Sequence, residues 1–105
     1  MATLAETPNP PYYAVIFSSI RTNADNGYAK MAMRMEQLAS EEQGYLGIES
    51  AREETGITVS YWDSLEAIQR WKVNVEHKVA QQQGKADWYS SYKVRIAKVE
   101  RDYEF

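Results

Sequence analysis

Apolar residues in the stretch 12–22 occupy both alternating sets of positions, Val15 and Phe17 on one and Ala14, Ile16 and Ile20 on the other. A run this rich in β-branched and aromatic residues predicts a strand covered on both faces. Asn23 to Gly27 supply turn and cap chemistry, after which Tyr28, Met31, Met35, Leu38 and Ala39 recur at helical spacing. That spacing predicts a helix over about 26–43, closed by Gly44 in a left-handed cap, with Met33 outside the apolar stripe. Alternation returns over 45–53, where Leu46 and Ile48 oppose Gly47 and Glu49, and again after Gly56, where Ile57, Val59 and Tyr61 share a face. The short Glu-Thr-Gly link makes the two runs a hairpin. Asp63 and Glu66 have capping-box spacing, with Ser64 an equal candidate for the cap, and Leu65, Ile68, Trp71, Lys72 and Val75 continue at intervals of three and four. A second helix therefore runs at most to Gln83, before Gly84. Trp88 to Glu100 returns to strand chemistry through Tyr92, Val94 and Ile96.

The order βαββαβ predicts an α+β fold of the ferredoxin-like type: a four-stranded antiparallel sheet with both helices on one face, placed there by right-handed crossovers. The other face then has no cover from its own chain, although Thr58, Ser60 and Lys93 make it only partly apolar. A second copy packed sheet against sheet is the expected solution, giving a homodimer and a dimeric α/β barrel. Residues 1–11, with Pro8, Pro10 and Pro11, show no periodicity and read as a flexible arm; residues 12–105 form the domain.

Composition narrows the chemistry. At 105 residues the chain has room for one core, and with no cysteine it lacks disulfides, thiolate metal sites and a thiol nucleophile. A formal charge of -3 without a basic segment argues against nucleic acid. The absence of a long apolar run or a secretory leader argues against a membrane and for a cytoplasmic location. Three Trp, eight Tyr and two Phe are many for this length. His77 is the sole imidazole, hence the one side chain that titrates near neutrality unaided, suited to act as a base or an axial ligand. On an unbroken helix it lies about 240° around from Trp71, so a bend near Asn74 has to bring the two together; otherwise it is a solvated flank residue. One histidine does not make a protein-only metal site, and the acidic pairs Glu41–Glu42 and Glu53–Glu54 sit where solvation explains them. The five glycines form no dinucleotide or phosphate loop, and Ser18 and Ser19 have no His-Asp partner nearby in sequence.

GYLGIES at 44–50, ITVSYWDSLEAIQRW at 57–71, VEHK at 75–78 and the closing YKVRIAKVERDYEF together resemble the antibiotic biosynthesis monooxygenase family, over roughly residues 12–105. The resemblance implies a dimeric α+β barrel with a small pocket in each subunit between helices and sheet. It further implies cofactor-free oxidation of a small aromatic or quinone-like substrate by a monooxygenase. Trp71 resembles a pocket-lining tryptophan of that family, and its plain reading as a core residue is compatible with that place. His77 is then the candidate catalytic residue, with Trp71, Asn74, Tyr28, Tyr61, Tyr92 and Arg95 as candidate substrate contacts. Each tyrosine also reads as a core aromatic, and Arg95 as a surface or subunit-interface charge. Related haem degraders carry their histidine where this chain has Gln81, and a first-strand asparagine where it has Phe17, Ser18 and Ser19, so haem is disfavoured as a cofactor. The alternatives are a non-catalytic barrel that binds a small ligand or a partner, and a haem-binding protein using His77 in a shifted geometry.

Overall fold

The computed structural model describes residues 3–23, 27–81 and 88–105, with the backbone alone for 76–81. Its elements are β1 (Tyr12–Arg21), α1 (Tyr28–Ser40), β2 (Tyr45–Arg52), β3 (Thr55–Trp62), α2 (Leu65–Gln81) and β4 (Tyr89–Val99). The strands form one sheet in the order β2-β3-β1-β4, every neighbouring pair antiparallel. This is the ferredoxin-like arrangement that the alternation of periods predicts, with the doubly apolar β1 in an interior position.

Local chemistry sets the element ends. Glu53 and Glu54 alone link β2 to β3, with Gly56 already paired to Arg52, so the hairpin is tighter than the expected Glu-Thr-Gly link. Ser64 rather than Asp63 caps α2: its Oγ accepts the Ala67 N–H at 3.1 Å, while the Asp63 N–H donates to the Gly44 carbonyl at 2.8 Å. Helix α1 ends at Ser40, short of the expected 43, because its final turn tightens. The Glu41 and Glu42 N–H groups reach back only to Leu38 and Ala39. The Arg70 guanidinium donates to the Gln43 carbonyl at 3.2 Å and lies 3.6 Å from Glu42, tying that turn to α2.

The core lies between the helices and one sheet face. Trp62 is fully buried among Ala39 of α1 and Ala67 and Ile68 of α2, with Tyr13, Val15, Tyr45 and Trp71 around them. Its indole N–H donates to Ser60 Oγ at 2.9 Å, so the largest buried side chain leaves its polar atom satisfied. Met31 and Met35 turn inward and Met33 outward, as their spacing predicts.

The opposite sheet face is not wholly bare. The Ala5 N–H donates to Glu49 Oε2 at 2.9 Å, and the Thr7 hydroxyl donates to the Tyr12 hydroxyl at 3.1 Å. Tyr12 in turn donates to Asp102 Oδ2. Residues before β1 and after β4 thus cover the Tyr12 end of this face, whereas Ile20 and Ile57 at its other end stay exposed.

Candidate functional site: a trough between the helices and β4

Register aligns the helix-side face of the sheet in four rows. Tyr45, Trp62, Tyr13 and Lys98 form the first, Ile48, Ser60, Val15 and Ile96 the second, Ser50, Thr58, Phe17 and Val94 the third, and Arg52, Gly56, Ser19 and Tyr92 the fourth. The helices cover the β2 and β3 side of these rows. On β4, Val94 keeps 47% and Ile96 52% of its surface in solvent although both point to the helix side. The result is an apolar trough, open along β4 and floored by Val15, Phe17, Val94 and Ile96.

Aromatic clusters close its two ends. At one end Trp71 lies near-parallel to Trp62, ring centroids 6.0 Å apart at 26°, and Tyr45 meets Trp62 edge-on. At the other, Phe17 stacks on Tyr92 at 5.5 Å, and Tyr89 meets Phe17, Tyr92 and Tyr28 edge to face. Trp88 backs Tyr28, and the Arg21 guanidinium sits 3.5 Å from the centre of the Tyr28 ring. The Tyr89 hydroxyl donates to that of Tyr28 at 3.3 Å. Burial, and secondarily that hydrogen bond, push the Tyr89 hydroxyl well above the usual tyrosine range, against the smaller opposing pull of Arg52 and Arg21. Tyr89 therefore stays a hydrogen-bond donor at any physiological pH.

The structure brings together some of the residues singled out in sequence and separates others. Trp71 and Asn74 share α2 and are both half-buried, while Tyr28 and Tyr92 meet at the far aromatic cluster through Tyr89. Tyr61 and Arg95 lie on the other side of the sheet, in register with Ala14 and Ile16, and do not face the trough. The His77 backbone is in α2, and its side chain, like that of Gln81, lies outside the described residues. Arg52, Ser19 and Tyr89 were not anticipated. The available signal was Gly56 in register with both Arg52 and Ser19, which requires strand pairing to be read. A second concavity of about 260 Å³ opens at the strand ends, lined mostly by residues of the face away from the helices, Ser18, Ile20, Thr55, Ser91, Lys93 and Arg95, and bordered by Ser19 and Tyr92 of the helix side. Its walls are mostly lysine, arginine and hydroxyls, with Tyr92 the one ring among them, so the trough is the better match to a flat apolar ligand.

Tyr61 has a structural part instead. Its hydroxyl donates to Glu49 Oε1 at 2.7 Å, and burial, reinforced by that bond, raises its pKa from 10.0 to about 12. The folded chain holds this proton more tightly than the unfolded one, so the stabilisation is complete below pH 10 and disappears as pH rises from 10 to about 12. Urea midpoints measured at pH 9, 10 and 11 are expected to fall more steeply for the parent than for Tyr61→Phe; equal slopes would refute this assignment.

Among the described residues no three His, Asp or Glu side chains gather as a metal site, and no helix is long and apolar enough to cross a membrane. The antibiotic biosynthesis monooxygenase family model matches residues 11–83. YqjZ of Bacillus subtilis, a protein without an assigned function, is 52% identical over 107 aligned positions, which span 100% of this chain and 94% of that protein. Among solved structures, SnoaB, a cofactor-independent oxygenase from Streptomyces nogalater, superposes with a TM-score of 0.71 at 10% identity, covering 89% of this chain and 97% of SnoaB. A MhuD mutant crystallised with two manganese protoporphyrin IX molecules per active site superposes with a TM-score of 0.64 at 19% identity, covering 89% and 99%. At these identities the two structures establish a shared fold.

Proposed function

This chain belongs to the antibiotic biosynthesis monooxygenase family, and from that premise we propose that it is a cofactor-independent oxygenase acting on a small, flat aromatic or quinone-like substrate in the trough. The observation that carries the reading is the half-exposed apolar floor at Val94 and Ile96, held between the Trp71 and Tyr92 clusters. An aromatic slab laid there would be desolvated on one side by sheet and on the other by α2. Desolvation matters because an ionised phenol or enol surrenders an electron to dioxygen most readily when water is kept from its anion. In a net conversion at an activated methylene, the carbon loses two hydrogens and gains one oxygen atom, and the second oxygen leaves as water. His77, within α2, is the proposed proton acceptor, Trp71 and Asn74 bound the ligand, and Tyr28, whose hydroxyl accepts from Tyr89, offers a donor to the substrate oxygen. A second copy over Ile16, Ile20, Ile57 and Val59 would complete the barrel, and sedimentation at micromolar concentration reads its presence.

Oxygen uptake with a panel of hydroquinones and anthrones is expected to exceed the buffer rate. It should fall roughly 100-fold or more in His77→Ala while the melting curve is retained. A rate no different from buffer across the panel overturns the enzymatic reading in favour of a binding module. A Soret band growing on haem titration would favour haem instead, the ligand class raised by MhuD.

A further inference from the structure

Arg52 stands at the end of an edge strand beside Glu53 and Glu54, where a solvated charge would be ordinary. It keeps an exposed surface, but its side chain turns across the sheet. The side chain crosses β3 over Gly56, where a Cβ would collide with the guanidinium, and its Nη2 donates to the Ser19 hydroxyl on β1. Ser19 is only 2% exposed, and its cross-strand neighbour is Tyr92. The positive charge therefore lies about one strand spacing, roughly 5 Å, from β4, at the aromatic end of the trough. Among the described residues the guanidinium meets a neutral hydroxyl and no carboxylate within ion-pair distance. Beside it are Tyr89, kept protonated by burial, and Tyr28, which accepts from Tyr89 and has its own proton to give.

We propose that Arg52, aimed by Gly56 and Ser19 and flanked by the Tyr28–Tyr89 pair, forms an anion subsite at this end of the trough, selecting flat aromatic ligands that carry an anionic oxygen. Arginine suits the task because its fork binds such oxygens with direction as well as charge. The chain as a whole carries a charge of -3, so a preference for anions has to arise locally. This inference rests on the trough as the binding site and adds the substrate's charge and orientation: rings toward Val94 and Ile96, oxygen toward Arg52.

The test is calorimetric titration of the full chain with 2-naphthoate, pentafluorophenolate and methyl 2-naphthoate. Naphthoate is expected to bind about 10- to 100-fold more tightly than its neutral ester. The phenolate arm shows whether an aryl oxide is accepted as well as a carboxylate; either anion bound in preference to the ester supports the subsite. Arg52→Gln should abolish the preference and leave ester affinity in place. Gly56→Ala, which retains the charge but fills its seat, should diminish the preference. Equal affinity for all three probes, no binding by any, or a preference that survives in Arg52→Gln would overturn the assignment. Because binding is read without turnover, a preserved preference with no oxygen uptake removes the oxygenase reading alone, and uptake with no preference removes the subsite alone.

Discussion

Trp62→Ala will lower the unfolding free energy by about 3–5 kcal/mol. The indole is wholly buried where both helices meet the sheet, against Ala39, Ala67 and Ile68, so its removal leaves a cavity in the core. Two ring contacts, with Tyr45 and Trp71, disappear with it, and aromatic pairs add roughly 0.5–1.5 kcal/mol each beyond area. The Ser60 hydroxyl also loses its donor within the core. A domain of this kind holds about 5–15 kcal/mol in total, so the loss is a large fraction. Urea denaturation followed by far-ultraviolet dichroism measures it; a change under about 1 kcal/mol would mean that the core is organised elsewhere. Trp62→Phe, which retains a ring, is expected to lose less.

Gly44→Ala will cost about 2–5 kcal/mol, from two sources that a second variant separates. Gly44 has φ +96, a left-handed conformation disfavoured for other residues by roughly 1–2 kcal/mol. A Cβ there would also fall 2.5 Å from Asp63 Oδ1 and 2.6 Å from the Ala67 Cβ, overpacking that typically adds about 1–3 kcal/mol. Gly27 has φ +80 with nothing within 4 Å of the added Cβ, so Gly27→Ala carries the conformational cost alone. The two variants should therefore differ in urea midpoint, Gly44→Ala being the weaker. Equal midpoints would show that the α1–β2 turn yields without strain. The crowding matters to the site because Ala67 lies in the first turn of the helix that carries Trp71 and Asp63 just precedes its Ser64 cap.

Element order was legible because each segment keeps one period for most of its length, and the Ser64 cap follows from local chemistry; Gly44 does take the expected left-handed conformation, but in the turn after α1, whose cap is Glu41. What periodicity could not supply was the face that each strand residue takes relative to the helices. Tyr61 and Tyr92 look alike in sequence, yet only register places Tyr92 beside Phe17 and sends Tyr61 to Glu49 on the far side. The register slip between Tyr45 and Gly47 deepens the difficulty, because it breaks strict alternation in β2. Arg52 was missed for a related reason. A cation next to two glutamates in a hairpin has the composition of a solvated turn, and its direction depends on a missing Cβ in one neighbouring strand and a hydroxyl in the next. The Trp71 end was readable, since a tryptophan in register with Ile68 and Val75 must meet the core.

The interior position of β1 has a consequence for how the molecule assembles. The earliest of the four strands must wait for both of its neighbours, and its Tyr12 hydroxyl finds Asp102 across 90 positions of chain. A nascent polypeptide emerging from the ribosome can close the β2–β3 hairpin and pair β3 with β1 early, but it leaves the other flank of β1 unzipped until β4 has emerged. Vectorial synthesis therefore gives little head start, and maturation becomes a late, concerted event whose tempo is governed by long-range pairing.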